Sequence, residues 1–208
     1  MNVYDFDGTI YASDSVADFA FWCAKRHPKL WVTYLPRVIG NTVLFLCKRI
    51  KKYELERRLF EYLGMIDDLD EQIEKFWDAN EKKIAKWYLR QKKPDDLIIS
   101  ASPDCIIAPI ARRLGVRYKA TEYDSEYGVL LDNLMLAKEK ARYIFDQGFP
   151  EIEEFYSDSL SDTPLALCAE KAFFVTNHAQ KINPWPKLEG KTRKKVHSAI
   201  NTGTDVHI

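Results

Sequence analysis

The residues that decide the fold are Asn2–Thr9, which read Asn-Val-Tyr-Asp-Phe-Asp-Gly-Thr near the start of a 208-residue chain. Residues 2–6 (NVYDF) have the apolar and aromatic composition of a short buried strand. The strand is predicted to break at Asp7-Gly8-Thr9, where the glycine gives backbone freedom and the threonine can cap the next segment. Because side chains alternate along an extended segment, Asp5 and Asp7 are expected to point the same way.

A second pair of carboxylates lies far along the chain, where Asp158 and Asp162 follow a predicted strand at 154–156. Buried neighbouring carboxylates repel one another, so Asp5 and Asp7 need either a metal ion or a proton held between them. An anionic set of oxygen ligands is what Mg²⁺ prefers when it keeps water molecules and shares a phosphate oxygen. The sequence therefore predicts a magnesium site at Asp5, Asp7, Asp158 and Asp162.

The composition of the chain restricts the class of protein to which it can belong. Lys plus Arg and Asp plus Glu each number 31, so no overall charge favours a nucleic-acid partner. With 46% hydrophobic residues, the chain is expected to form either one domain or one domain with an insert. The four cysteines form no CxxC pair, which predicts a reducing, cytoplasmic location. The first residues do not resemble a secretion signal, and the apolar stretch Val38–Leu46 is too short to span a membrane.

Residues 13–93 have a helical pattern, with apolar side chains at spacings of three and four residues. Pro28 and Pro36 are expected to divide this segment into several helices. The charged run Lys48–Lys52 is expected on the solvated face of one of them. The predicted division of the chain is an α/β core at 1–12 and 94–185, an all-helical cap at 13–93, and a basic tail at 186–208.

After residue 94 the period changes, and predicted strands alternate with predicted helices. The expected elements are a strand at 97–99, a helix at 104–114 closed by Gly115, a strand at 116–121, a hairpin near 124–131, a helix at 138–147, a strand at 154–156, a helix at 164–171 and a strand at 172–175. This alternation is typical of an α/β fold with a doubly wound, mostly parallel sheet. Ligands of such sheets bind beyond the carboxyl ends of the strands, where Asp5, Ser100 and Asp158 are expected to meet.

Four short motifs succeed one another along the chain: Asp5-Phe6-Asp7-Gly8-Thr9, Ser100, a lysine at the start of a helix, and Ser157-Asp158-Ser159-Leu160-Ser161-Asp162. In kind and order they resemble the motifs of the haloacid dehalogenase (HAD) superfamily. The stretches 98–103 and 155–162 are most similar to its phosphoserine-phosphatase-like branch, which inserts a helical cap after the first motif. The resemblance implies a Rossmann-like core and an Mg²⁺-dependent phosphatase that acts on a phosphorylated substrate.

The resemblance also implies roles for the acidic residues. Asp5 would be the nucleophile that forms an aspartyl-phosphate, and Asp7 would exchange protons with the leaving group and with water. Mg²⁺ would be held by the Asp5 carboxylate, the Asp7 backbone carbonyl and the Asp158 carboxylate. Asp162 would orient a bound water molecule or the lysine of the third motif.

The lysine of the third motif can be placed in two ways, at Lys138 or at Lys140. Lys140 is favoured because the resembled branch often reads G-x-x-K at this point, with Ala137 in the place of the glycine. This lysine would neutralise the phosphate as its charge redistributes. Ser100 and the adjacent Ala101 would bind the phosphate of the substrate.

Three further groups of residues have simpler interpretations. Asp14 lies where the resembled branch has an acidic residue facing the substrate across the cap hinge. Ser102 is interpreted as the cap of the following helix, with Pro103 at its first position. The four histidines have no metal-like spacing, which makes a zinc site improbable.

Three functions are compatible with these features. The first is hydrolysis of a small phosphorylated metabolite, of which phosphoserine is one candidate. The second is hydrolysis of a phospholipid or lipid-linked phosphate at a membrane surface, because basic residues flank the apolar stretch Val38–Leu46. The third is non-catalytic binding of Mg²⁺ and a phosphorylated ligand, which is disfavoured because binding alone does not need the proton-transfer acid Asp7. The sequence makes no prediction of oligomeric state.

Overall fold

A computed structural model describes residues 1–124, 127–131, 134–148 and 151–187. At its centre lies strand β1, whose three side chains are all buried. Val3 of β1 is in parallel register with Leu97 on one side and with Phe155 on the other. The strands are β1 (Asn2–Tyr4), β2 (Leu97–Pro103), β3 (Arg117–Thr121), β4 (Tyr123–Asp124), β5 (Val129–Leu130), β6 (Ile152–Ser157), β7 (Ala169–Thr176) and β8 (Lys181–Pro184).

Six of these strands form one sheet in the order β3-β2-β1-β6-β7-β8. All neighbours are parallel except β8, which pairs antiparallel with β7 at the edge. Strands β4 and β5 form a separate antiparallel pair. The prediction of a doubly wound, mostly parallel sheet is confirmed, and the carboxyl ends of β1, β2 and β6 lie side by side.

Helices occupy the segment between β1 and β2 and the later crossovers. They are α1 (Ser15–Arg26), α2 (Lys29–Thr33), α3 (Leu35–Leu46), α4 (Lys52–Leu59), α5 (Leu69–Asn80), α6 (Lys86–Gln91), α7 (Asp104–Leu114), α8 (Ala137–Asp146) and α9 (Thr163–Ala166), with 3₁₀ turns at Leu63–Met65, Glu81–Lys83 and Leu160–Asp162. Pro28 separates α1 from α2, and Pro36 lies in the first turn of α3, where its missing N–H costs no helical hydrogen bond. Helix α7 has the predicted bounds and ends at Gly115, whose φ of 68° is left-handed.

Helices α5 and α6 pack against the α/β core. Trp77 of α5 is fully buried and donates from Nε1 to the carbonyl of Ile106 in α7 at 2.8 Å. The ring of Tyr88 in α6 contacts that of Tyr4 in β1, with centroids 4.8 Å apart. Large aromatic side chains contribute much of the energy of a core, so Trp77 holds α5 to α7 and Tyr88 holds α6 to the sheet.

Helix α3, in contrast, has no buried side chain. Large apolar residues are exposed along it, among them Ile39 (56%) and Val43 (51%). Within the described ranges, no helix has both the length and the apolar character needed to cross a bilayer.

The structure differs from the sequence prediction at several boundaries. Lys48–Lys52 was expected on a helix, but α3 ends at Leu46 and α4 begins at Lys52, and Lys48 itself has a left-handed φ of 56°. The chain reverses there, and a residue in the left-handed region cannot continue a helix.

The predicted helix 164–171 is also wrong beyond its first turn. Helix α9 ends at Ala166, and Ala169 starts strand β7 by pairing with Ile152. Pairing with β6 therefore overrides the local helical pattern. Strand β8 was not predicted, the turn of the hairpin falls partly on residues 125–126, and most of the basic tail lies at 188–208. These two ranges are outside the described residues.

Candidate active site

Asp5 lies immediately after β1, and its backbone N–H donates to the carbonyl of Tyr156 in β6 at 2.9 Å. The residue is 9% exposed. Oδ1 accepts from the Phe6 N–H at 2.8 Å and lies 2.8 Å from Nζ of Lys140. Oδ2 is 3.5 Å from the Ser157 hydroxyl, which is a long contact. One carboxylate oxygen of Asp5 is thus fixed firmly and the other is held weakly.

Lys140 is the fourth residue of α8, and its side chain reaches the Asp5 carboxylate from there. Lys140 is only 3% exposed. Its Nζ lies 2.8 Å from Oδ1 of Asp5 and 2.9 Å from Oδ2 of Asp162. Burial alone would lower the pKa of Lys140, but the charges and hydrogen bonds of Asp162 and Asp5 outweigh it and raise that pKa. Lys138 is half-buried and is not among the described residues that line the site cavity. Of the two candidate lysines, Lys140 is the one at the carboxylates.

Asp162 is buried and holds Lys140 in place. Its Oδ2 accepts both from Nζ of Lys140 and, at 2.8 Å, from the hydroxyl of Ser157. Ser157 Oγ in turn accepts from the N–H of Ser159 at 3.0 Å. The sequence motif contains Ser157, but no role was predicted for it. In the structure it connects Asp162 with Asp5.

Asp7 is held by two short hydrogen bonds. Oδ1 accepts from the N–H of Ser15 at 2.6 Å, and Oδ2 accepts from the hydroxyl of Ser102 at 2.5 Å. Burial raises the pKa of Asp7 to about 6, although the hydrogen bond from Ser102 opposes the shift. The pKa of Asp7 is thereby moved from the acidic range toward neutral pH.

The interpretation of Ser102 as a helix cap is wrong. Pro103 occupies the N-cap position of α7, and the Ser102 hydroxyl points to Asp7 instead. Ser102 lies two residues after Ser100 on the same strand, and the period of two could have placed both at the site. Ser100 is buried beside it, with Oγ accepting from the Ser102 N–H at 3.1 Å.

Asp158 lies against the turn after β1. Its N–H donates to the Thr9 hydroxyl at 2.9 Å. Gly8 has a φ of 70°, and a Cβ there would lie 2.1 Å from Oδ2 of Asp158. Only glycine allows this approach, so the Asp158 carboxylate lies next to the backbone that joins Asp7 to Gly8.

The residues at this edge fit a divalent cation. Within the described ranges, no three His, Cys, Asp or Glu side chains are gathered as a metal site. However, Mg²⁺ is usually bound through one or two carboxylates together with substrate phosphate and water. The ligands expected from the sequence are likewise two carboxylates, those of Asp5 and Asp158, and the backbone carbonyl of Asp7. Burial raises the pKa of Asp5, with Lys140 opposing and Asp162 adding to the shift, and burial also raises the pKa of Asp158. Excess buried negative charge is what a cation would neutralise.

The sheet edge that carries Asp5 and Asp7 borders a cavity of about 750 Å³. Asp5, Asp7, Lys140 and Asp162 line it, together with Ser100 and Ala101. Asp14 lines it from the helical side and also caps α1, since its Oδ1 accepts from the Ala17 N–H at 2.8 Å. Asp158 is not among the described lining residues. The structure thus brings most of the predicted site residues to one cavity.

Two known structures have the same fold. A protein with unknown function from Bordetella pertussis Tohama I superposes with a TM-score of 0.65 at 18% identity, covering 83% of this chain and 87% of that one. A phosphoserine phosphohydrolase-like protein from Francisella tularensis subsp. tularensis SCHU S4 superposes with a TM-score of 0.52 at 17% identity, covering 83% and 86%.

Comparison of amino-acid sequences finds a relative and a family in addition to the shared fold. Protein CicA of Caulobacter vibrioides is 29% identical over 189 residues, which cover 83% of this chain and 84% of that protein. Residues 3–167 match the family of haloacid dehalogenase-like hydrolases, and this range includes every motif residue described above. The predicted superfamily is confirmed, and the chain belongs to the haloacid dehalogenase-like hydrolases.

Proposed function

We propose that the protein is an Mg²⁺-dependent phosphomonoesterase that works through a phospho-aspartate at Asp5. The observation that carries this proposal is the pairing of two differently held carboxylates on one cavity. Asp5 is fixed through one oxygen by Lys140, and Asp7 has a raised pKa that suits proton transfer. That the chain belongs to a family of hydrolases also supports hydrolysis of a phosphate ester.

The proposed reaction has two steps. In the first, an oxygen of Asp5 attacks phosphorus, the bond from phosphorus to the ester oxygen breaks, and protonated Asp7 gives its proton to the departing alkoxide. In the second, water attacks the phosphorus of the aspartyl-phosphate and Asp7 takes a proton from that water, while the bond from phosphorus to the Asp5 oxygen breaks, which releases phosphate and restores the Asp5 carboxylate. Lys140 and the Ser100 hydroxyl are positioned to stabilise the negative charge of the phosphoryl group.

The Asp5 carboxylate, the Asp7 backbone carbonyl and the Asp158 carboxylate would hold Mg²⁺, which when bound neutralises phosphate oxygens and aligns the ester. Asp162 is occupied by Lys140 and Ser157, so we assign it to positioning the lysine.

Removal of divalent cations by a chelator is expected to abolish hydrolysis of para-nitrophenyl phosphate, and added Mg²⁺ should restore it. The variant Asp158→Asn should need at least about tenfold more Mg²⁺ for half-maximal activity, because one anionic ligand is lost. Titration of activity against free Mg²⁺ measures this. Undiminished turnover in excess chelator would contradict the metal dependence.

Loss of the Ser102 hydroxyl is expected to change the pH profile. Protonated Asp7 is needed in the first step, so kcat/KM should fall as the pH rises through its pKa. The hydrogen bond from Ser102 stabilises the charged carboxylate, so Ser102→Ala raises that pKa and moves the falling limb upward by up to about one pH unit.

The test is to measure profiles of kcat/KM at saturating Mg²⁺ for wild type, Ser102→Ala and Ser102→Thr, with an alkyl phosphate whose alkoxide leaving group needs the proton of Asp7. The threonine variant keeps the hydroxyl and should keep the wild-type limb. A limb that stays in place in Ser102→Ala, or moves to lower pH, would refute the role of Ser102.

We propose that the helical segment 13–93 covers the site mainly through α1–α4. Residues of α1 and α3 and those around α4 form the cavity wall opposite the sheet. In contrast, α5 is fixed to α7 by Trp77, and α6 is fixed to β1 by Tyr88. A covering element that closes over substrate excludes water from the reaction.

The wider setting of this activity is also a proposal. A phosphorylated small molecule remains the general class of substrate. A cytoplasmic location is supported by the four cysteines, all of which are free. Non-catalytic binding is disfavoured, because Asp7 is held by two short hydrogen bonds at a pKa suited to proton transfer.

A further inference from the structure

The cavity wall that faces the carboxylates is apolar. Described residues of α1 and α3 that form it include Val16, Ala20, Phe21, Leu35 and Val38, and Leu59 and Phe60 continue it. We call this surface the apolar wall. Because the phosphate is bound at the sheet edge, the apolar wall faces the part of the substrate that leaves with the ester oxygen.

The apolar wall offers no partner for the carboxylate of an amino-acid leaving group. Among the described residues on the helical side of the cavity, Asp14 is the only charged one, and it would repel a carboxylate. The two tyrosine hydroxyls are already used, since Tyr34 donates to the carbonyl of Leu59 at 2.5 Å and Tyr62 to that of Val16 at 3.1 Å. A carboxylate buried there would lose its water without gaining a hydrogen bond. Phosphoserine therefore fits this cavity poorly.

The apolar wall extends outward to solvent. Small side chains at Ala17, Ala20 and Ala24 line the cavity along one face of α1 and leave room beside them. Phe21 and Leu35 line it as well, yet are 54% and 40% exposed. The apolar surface is therefore continuous from the carboxylates to the outside of the protein, which suits an extended apolar group longer than the cavity.

The helical segment that carries Phe21 and Leu35 is rich in basic residues. Residues 19–53 contain eight lysines and arginines and no aspartate or glutamate, although the whole chain has equal numbers of each. Lys25, Lys29 and Arg37 are exposed there, beside exposed apolar residues of α3 such as Ile39 and Val43. Apolar residues among cations are the chemistry that binds an anionic lipid surface.

We infer that the substrate is a lipid phosphate, namely a phosphate monoester whose alcohol carries an acyl or alkyl chain. The phosphate lies at Asp5, the acyl chain lies along the apolar wall, and its far end leaves between Phe21 and Leu35 toward an anionic membrane surface. This inference rests on the proposed phosphatase function and specifies its substrate.

A series of n-alkyl phosphates from methyl to octyl, all monomeric at the concentrations used, tests the inference. Each buried methylene strengthens binding several-fold, so kcat/KM is expected to rise by at least about 100-fold over the series. Val38→Glu puts a charge on the apolar wall, and Ala24→Phe fills the space beside α1. Both should flatten the rise, whereas Thr42→Glu, an equal charge on the same helix but away from the cavity, should keep the wild-type slope. Thermal melts establish that each variant is folded.

The outcomes separate the two proposals. Absence of turnover for para-nitrophenyl phosphate and for every alkyl phosphate would overturn the phosphatase function itself. Turnover of the aryl ester with a flat or falling chain-length series would overturn only the lipid substrate. A second measurement compares sedimentation of wild-type protein with vesicles of anionic and of zwitterionic phospholipid. Salt-sensitive binding to the anionic vesicles is expected, and equal or absent binding to both would overturn the membrane part of the inference.

Discussion

Asp5→Asn is expected to lower kcat for para-nitrophenyl phosphate by at least about 10⁴-fold, which is the scale seen when a covalent nucleophile is removed. The amide has nearly the shape of the carboxylate but cannot attack phosphorus as an anion. It also removes one of the two anionic partners of Lys140. The measurement is steady-state turnover at saturating Mg²⁺.

The fold of Asp5→Asn should be kept, because Asp162 still pairs with Lys140. Circular dichroism and thermal melting establish this. Asp146→Asn is a matched control, since Asp146 is on the exposed side of α8 and its ion pair is with Arg142 at 3.7 Å, away from the site. It should retain wild-type activity. Appreciable turnover by folded Asp5→Asn would refute the assignment of the nucleophile.

Lys140→Met is expected to lower kcat/KM by about 10³-fold, because it removes a preorganised positive charge from the phosphoryl site. It also leaves Asp5 and Asp162 buried without their cation. Breaking a buried ion pair from one side costs about 3 kcal/mol or more in free energy of unfolding. Kinetics and denaturant unfolding measure the two effects separately.

Lys138→Met is the matched control for this variant. Lys138 lies two residues earlier on α8 and is half-buried, so its loss should change neither activity nor stability by much. A larger loss of activity in Lys138→Met than in Lys140→Met would show that the alternative placement of the third motif is the correct one.

The sequence predicted the parts of the fold that depend on local pattern. The strand near Leu97, the helix ending at Gly115 and the division by Pro28 are all consequences of period, glycine and proline. The parts that depend on pairing were missed. Ala169 joins a strand because β6 lies beside it, and β8 exists because β7 offers an edge. No local sequence pattern predicts which strands will pair with each other.

The site residues also divide into those that local sequence motifs predicted and those that depend on tertiary structure. Asp5, Asp7 and Asp158 were identified from motifs, and the sequence pattern favoured Lys140 over Lys138. The contact of Lys140 with Asp5, however, depends on the register of α8, which the sequence does not give. Ser102 was assigned to a cap because a serine before a proline is also a common cap signal. The apolar wall combines residues from α1, α3 and α4, so its character depends on tertiary packing that separate sequence segments do not reveal.

The central claim is that the phosphoryl group passes through the Asp5 carboxylate, and acid-quenched mass spectrometry tests it directly. Asp7→Asn should slow hydrolysis of the intermediate, while the nitrophenolate leaving group needs no proton, so the intermediate accumulates. We expect one phosphoryl group on the peptide that contains Asp5, and none in the double variant Asp5→Asn, Asp7→Asn. Phosphate on another residue, or turnover of wild-type protein through no phosphorylated form at all, would contradict the account.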